Sequence, residues 1–196
     1  MYADQAADLF IGSLRPGARV LDVGAGDDGD GFGELCRAAG LDYVPFDWGD
    51  GEDWESLVRP SYIQAFDGVY MSHSLEHMLD THHALRQIHN VLKPGGVVAI
   101  TVPPAKHEIV GGHVTLWNAG LLLYRMILAG FNCRDAAVKT YGYNISVVVR
   151  QKRIEQLPTL MRDRGDIEIL SYYFPKGLDI RQGFDGRIAE HNWRAV

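Results

Sequence analysis

Apolar residues in the first 150 positions fall into two patterns: short, nearly unbroken runs, and runs spaced at three and four. The first kind reads as buried strand and the second as amphipathic helix. The spacing predicts a helix over Ala3–Leu14, then a strand over Arg19–Val23 that ends in a glycine-rich loop, Gly24–Gly33. A helix over Phe32–Ala39 follows, closed by Gly40, and then a strand over Tyr43–Phe46 that ends at Asp47. Positions 48–66 are polar and irregular. Asp67–Met71 reads as the next strand, and Asp80 as the N-cap of a helix running through Leu92. Lys93-Pro-Gly-Gly reads as a sharp turn, and Val97–Val102 as a strand covered on both faces. Asn118 caps a helix that reaches Ala129 and stops at Gly130. Phe131–Val138 and Tyr143–Arg150 read as a closing antiparallel hairpin.

Alternation of this kind predicts an α/β fold: a Rossmann-like, mostly parallel sheet flanked by helices, with a closing antiparallel hairpin and a short C-terminal extension. The core domain is assigned to residues 1–152 and the extension to 153–196. From Arg150 onward bases outnumber acids, whereas the rest of the chain is acidic. Ile167–Phe174 reads as a strand within the extension, which is too short to bury much core alone and is expected to pack on the sheet domain.

At 196 residues, 46% apolar and 22% charged, the chain has ordinary globular composition, which excludes a disordered or fibrous protein. Its net charge of −6 argues against general nucleic-acid or membrane-surface binding. Cys36 and Cys133 lie too far apart in sequence for a CxxC, so a disulfide scaffold and a cysteine zinc site are not expected, and a reducing, cytoplasmic setting is the default. No run approaches the ~20 apolar residues of a membrane span. The N-terminus lacks a basic n-region, so no signal peptide is expected.

In sheets of this class, ligands bind beyond the carboxyl ends of the strands. Val20-Leu-Asp-Val-Gly-Ala-Gly runs from a buried strand into a glycine turn, where a ligand can approach the backbone closely. Asp47, at the end of the next strand, is placed to accept both hydroxyls of a ribose. A nucleotide-free turn with a solvated aspartate is the competing reading.

Two further stretches carry a pattern: Phe66-Asp-Gly-Val-Tyr-Met-Ser-His-Ser-Leu-Glu-His-Met-Leu-Asp, and Ala84-Leu-Arg-Gln-Ile-His-Asn-Val-Leu-Lys-Pro-Gly-Gly. Together with the glycine turn, in this order and spacing, they resemble the class I S-adenosylmethionine-dependent methyltransferases over about residues 18 to 102. Gly112-His-Val-Thr-Leu-Trp and Ala129-Gly-Phe are similar to the last crossover of that family. The resemblance implies S-adenosylmethionine as cofactor. It puts Gly24, Ala25 and Gly26 under the methionyl part, Asp22 near the amino group, and Asp47 on the ribose. It puts Asp53 with Trp54 at the adenine amine, with Trp48 in the same set, and Ser72 and His73 along the cofactor. Asp28 stands where the family has a third loop glycine.

Seven of the eight histidines fall between 73 and 113. His73-Ser-Leu-Glu-His77 matches the HxxEH pattern of zinc hydrolases, but it follows a strand and fits the family's Leu-Glu-His. The favoured reading has Glu76 and His77 fixing the loop by hydrogen bonds. His82, His83 and His89 are expected in solvent. His113 and His107 follow the buried strand, in a loop expected to cover the mouth of the site. They are the candidate bases for an acceptor that loses a proton, His113 ahead of His107. A divalent metal held by His73, His77, His107 and Glu108 is not established by spacing, and no metal ligand is assigned. Trp117, Tyr141, Tyr143 and Trp193 could stack on an acceptor, although core or rim placement is commoner.

The function implied is methyl transfer to an oxygen or nitrogen of a small molecule or a glycan. The acceptor would be held by the N-terminal helix, the 103–117 loop and the extension. The alternative is an inactive relative that serves as a binding or partner subunit, suggested by the unusual Asp27–Gly33 loop. A homodimer through the extension is left open.

Overall fold

The computed structural model describes residues 3–26, 31–47 and 59–196. In chain order the elements are α1 (Asp4–Gly12), β1 (Arg19–Val23), α2 (Phe32–Ala38), β2 (Asp42–Phe46), β3 (Phe66–Ser72), α3 (Thr81–Val91) and β4 (Leu92–Val102). They continue with α4 (Ala119–Leu128), β5 (Ala137–Tyr141), β6 (Asn144–Arg150), the one-turn α5 (Asp166–Ile169) and the short β7 (Glu190–His191). All seven strands form one sheet in the order β2-β1-β3-β4-β6-β5-β7. The first four in that order run parallel. β6 enters antiparallel to β4, β5 returns against β6, and β7 closes against β5.

Alternating residues of the central strands feed two cores. On one face Val20, Tyr70, Val97 and Ala99 pack with Phe10 of α1 and with Phe32 and Cys36 of α2. On the other, Leu21, Val69, Met71, Val98 and Ile100 lie beneath α3, α4 and the extension, which contributes Leu170, Phe174 and Ile188. Burial on both faces explains the unbroken apolar runs. Gly68 lets α1 sit close on the first face, because a Cβ there would lie 2.7 Å from Phe10 Cζ and 3.0 Å from Leu14 Cδ1, so those side chains would have to shift. The helix caps follow the sequence. Asp80 accepts the His83 N–H, Asn118 accepts the Leu121 N–H, and Gly40 and Gly130 adopt positive φ beyond the last turns.

Three elements differ from expectation. Lys93-Pro-Gly-Gly is a bulged part of β4: Phe66 pairs with Leu92, the register shifts, and Gly68 pairs with Val97. Two backbone bonds with Gln151 hold this bulge, from Gly95 N–H to Gln151 O and from Gln151 N–H to Gly96 O. The first hairpin strand begins at Ala137, not Phe131. Phe131 makes only an isolated antiparallel bridge, to Arg153, and Phe131 and Cys133 are core anchors of a turn in which Ala136 N–H bonds Cys133 O, so their apolar character reflects burial more than strand pairing. The expected strand over Ile167–Phe174 is instead α5 followed by a 3₁₀ turn, Ser171–Tyr173. Asp166, Leu170 and Phe174 are buried at intervals of four, the helical spacing, and the Asp166 carboxylate accepts the N–H groups of Met161 and Arg162.

Residues 153–196 run back along the core. Gly186 O accepts from Gly120 N–H at the start of α4, and β7 adds an edge strand to β5. No helix among the described residues is long and apolar enough to cross a membrane.

Candidate active site

β2 flanks β1 on one side and β3 on the other, so the strand order reverses beside β1. A crevice opens at the carboxyl ends of strands at such a point. Gly24 (φ +84°) and Gly26 (φ +66°) turn the chain there in a conformation that side chains resist. The N–H groups of Gly24 and Ala25 both donate to Phe46 O, at 2.8 and 3.3 Å. Gly26 N–H donates to Asp47 Oδ2 at 2.6 Å, so the turn that leaves β1 is tied to the end of β2. Among the described residues a Cβ on Gly26 would meet nothing within 4 Å, which leaves that side of the turn free of them for a ligand. Asp22 is buried and accepts from Tyr43 Oη at 2.8 Å. Burial, with the Asp22 carboxylate close by, raises the Tyr43 phenol and pushes the Cys36 thiol up to about 12. A glycine turn with one bare side beside an anchored carboxylate suits a nucleoside cofactor. Trp48, Asp53 and Trp54 lie outside the described residues, as does the Asp27–Asp30 part of the loop.

Ser72 ends β3, where it pairs with Thr101. His73 follows with φ +52°, a strained value for a histidine, and its N–H donates to Thr101 O. Its ring reaches the β5–β6 hairpin: Nε2 lies 2.8 Å from Asn144 Oδ1, and the ring stacks on Tyr143. Asn144 carried no signal in the sequence, because one polar residue at the start of a stretch read as a hairpin strand does not reveal which side chain it meets.

Leu75–His77 form a 3₁₀ turn. His77 fixes the neighbouring loop, its Nδ1–H donating to Gly112 O at 2.8 Å. Glu76 fixes it through its backbone only, Glu76 O accepting from Val114 N–H and Thr115 N–H at 2.9 and 3.2 Å. Its carboxylate is fully buried, and neither oxygen has a hydrogen-bond partner among the described residues. The two nearest ring nitrogens are His73 Nδ1 at 3.4 Å and His77 Nε2 at 3.9 Å. His113 meets His77 edge-on with ring centroids 5.0 Å apart. The structure therefore gathers Glu76, His77 and His113, and leaves His107 and Glu108 on the exposed outer loop. His82 and His83 are exposed, as expected. His89 is not: it is only 6% exposed, edge-on to Phe131, and burial together with Arg153 and Arg86 lowers its pKa to about 4. It lies on the buried side of α3, whose apolar face extends to position 89.

A cavity of about 260 Å³ adjoins this cluster at His113 and is lined among others by Pro103, His107, Ile109, His113, Trp117 and Tyr143. A second, of about 550 Å³, shares Pro104, Ala105 and Trp117 with it and is walled by Asp185–Ala189 of the extension. The 103–117 loop and the extension thus line these cavities, whereas α1 lines neither. Of the four aromatics, Tyr143 lies at the first cavity and Trp117 at both. Tyr141 is a structural residue whose hydroxyl accepts Ala6 N–H and packs beside Trp193.

Residues 2–128 match a family model described as a methyltransferase domain. Among solved structures, the chain is similar to an S-adenosylmethionine-dependent methyltransferase from Archaeoglobus fulgidus, with 16% identity and a TM-score of 0.63 over 74% of this chain and 92% of that one. It is similar to the Burkholderia thailandensis 1,6-didemethyltoxoflavin-N1-methyltransferase with bound 1,6-didemethyltoxoflavin and S-adenosylhomocysteine, with 19% identity and a TM-score of 0.59 over 76% and 77%. It is also similar to phosphoethanolamine N-methyltransferase 2 of Haemonchus contortus, with 21% identity and a TM-score of 0.54 over 70% of this chain but 38% of that longer one. At these identities the likeness is one of fold. The family match spans α1 to α4, and so contains the glycine turn, Asp47, the Glu76–His77 turn and the loop over the cavity. The chain belongs to the methyltransferase domain family and has the class I, Rossmann-like fold.

Proposed function

We propose that the protein transfers a methyl group from S-adenosylmethionine to an oxygen or nitrogen of a small molecule or a glycan. The observation that carries this reading is the pairing, at one edge of the sheet, of the Gly24–Gly26 turn bonded to Asp47 with a cavity roofed by the 103–117 loop. When bound, the cofactor supplies a methyl group activated on a sulfonium centre. Asp47 takes the ribose hydroxyls, and the open side of the glycine turn receives the methionyl part. Asp22, buried behind the turn, braces β1 against β2 through Tyr43. Asp53 with Trp54 and Trp48 are assigned to the adenine end on sequence alone, and Ser72 and His73 to the wall after β3.

Methyl transfer asks the protein mainly to align nucleophile and carbon in a dry site. Trp117 and Tyr143 give the cavity its apolar walls, while His113 stands at its edge on the acceptor side. His107 is exposed farther out on the same loop and is the weaker candidate. The test is transfer of radiolabelled methyl to a panel of phenols, amines and sugars. His113→Ala is expected to keep cofactor affinity and to lose roughly 100-fold in turnover. Full turnover in that variant refutes the role of His113. Cofactor binding without transfer to any oxygen or nitrogen acceptor refutes the acceptor class.

A further inference from the structure

We infer that Glu76, His77 and His113 form a binding site for one divalent transition-metal ion beside the 260 Å³ cavity, whose wall His113 shares. The oxygen, nitrogen and nitrogen donor atoms of these three residues lie within 4.8 Å of one another. Four-coordinate sites with bonds of about 2.1 Å place their ligand atoms roughly 3.4 Å apart, so small side-chain rotations close this set around an ion. Glu76 gives a second and independent indication. A fully buried carboxylate with neither oxygen hydrogen-bonded among the described residues is costly; either a protonated ring beside it, His73 Nδ1 at 3.4 Å or His77 Nε2 at 3.9 Å, or a metal ion removes the cost, and the ion does so without charging a histidine.

The tautomer of His77 is right for the task. Its Nδ1 faces a carbonyl oxygen, Gly112 O, which can only accept, so Nδ1 carries the proton and Nε2 keeps its lone pair. That Nε2 lies 3.9 Å from Glu76 Oε1. Orientation of one ring nitrogen by a carbonyl is the usual support behind a metal-bound histidine. His113 comes from a different segment, and that segment is pinned in place: Val114 and Thr115 both donate to Glu76 O. Ligands from the 75–77 turn and the 110–115 loop therefore converge without any large movement.

Two histidines and one carboxylate suit zinc, iron(II) or cobalt(II) better than magnesium, and they leave coordination positions open. His113 also lines the cavity, so a group seated there lies next to the site. The ligand class that fits is an acceptor with an oxygen donor, such as a phenol or other hydroxyl. Coordinated there, the hydroxyl gives its proton to water more readily and presents the oxyanion, and His113, its lone pair held by the ion, then serves the transfer as a ligand in place of acting as the base. This use of the site rests on the methyl-transfer reading, but the site itself does not.

The test is titration of chelator-treated protein with Zn²⁺ by calorimetry and with Co²⁺ by visible absorption, each with and without S-adenosylmethionine. One ion per chain is expected, bound at least about tenfold more weakly by Glu76→Gln and by His113→Ala. His113 lies on a partly exposed loop, so His113→Ala is expected to melt like the parent and still to bind S-adenosylmethionine, which separates a lost ligand from a lost fold. Absence of saturable binding overturns the site. So does equal binding by parent and His113→Ala, which would place the ion elsewhere, for instance at the exposed His82 and His83. One ion bound by a protein that ignores S-adenosylmethionine supports the metal site and removes the methyl-transfer reading.

Discussion

Replacing His89 with leucine is expected to remove most of one acid-sensitive contribution to stability. The ring is 6% exposed on α3 against Phe131, and burial, helped by Arg153 and Arg86, depresses its pKa from 6.5 to about 4. An unfolded chain takes up this proton near pH 6.5, and the folded chain only near pH 4. Between the two the unfolded state binds more protons, so the stabilising contribution is complete above about pH 6.5 and is lost as the pH falls through 4. Each pKa unit is worth about 1.4 kcal/mol, which puts the whole effect at about 3 kcal/mol and most of it in force by about pH 4.5. Among the described residues His89 Nε2 makes no well-formed hydrogen bond, and the backbone of Gly130 only partly offsets its burial, so an apolar side chain loses little at neutral pH. Urea unfolding followed by tryptophan fluorescence, at about pH 7 and about pH 4.5, gives the comparison. Groups that titrate in both proteins cancel. The variant is expected within about 1 kcal/mol of the parent at neutral pH and to lose about 2 kcal/mol less on acidification. Equal losses in the two proteins refute the reasoning.

Gly68→Ala places a methyl 2.7 Å from Phe10 Cζ and should cost about 1–3 kcal/mol, with Phe10→Leu restoring part of the loss in a double-variant cycle. Both thiols are buried with raised pKa, so the folded protein should leave Cys36 and Cys133 unlabelled by a disulfide reagent at about pH 8, and urea should expose two. Prompt labelling of either would contradict its place in the core. Tyr43→Phe takes a hydrogen bond from buried Asp22 and should cost about 1–3 kcal/mol in thermal or urea melts, whereas an unchanged midpoint would mean Asp22 does not need it.

Much of the fold could be read from local chemistry. Asp80 and Asn118 are side-chain caps whose partners lie three residues on, and Gly40 and Gly130 end helices by their own φ. The apolar runs of β1, β3 and β4 announce strands because both faces are covered. Misreadings arose where burial was supplied from a distance. Phe131 and Cys133 look like strand residues, but they are anchors of a turn. Leu170 and Phe174 are covered by the sheet domain and not by a neighbouring strand. His89 looks like surface until the partner on the far side, Phe131, is known. The site divides along the same line. Asp22, the glycine turn and Asp47 form one short-range pattern, tied together by a bond from Gly26 to Asp47. The convergence of Glu76 and His77 with His113 depends on how the loop after β4 folds back, which spacing alone does not encode.

Calorimetric titration with S-adenosylmethionine and S-adenosylhomocysteine, on the parent and on Asp47→Ala, tests the central claim most directly. The account predicts one site per chain with micromolar affinity. It also predicts that Asp47→Ala weakens binding about 10- to 100-fold, the loss of one or two charge-assisted hydrogen bonds worth about 1.5–3 kcal/mol, while the protein stays folded with only a small drop in melting temperature from the lost bond to Gly26 N–H. No binding by well-folded protein, or equal binding by both proteins, would contradict it.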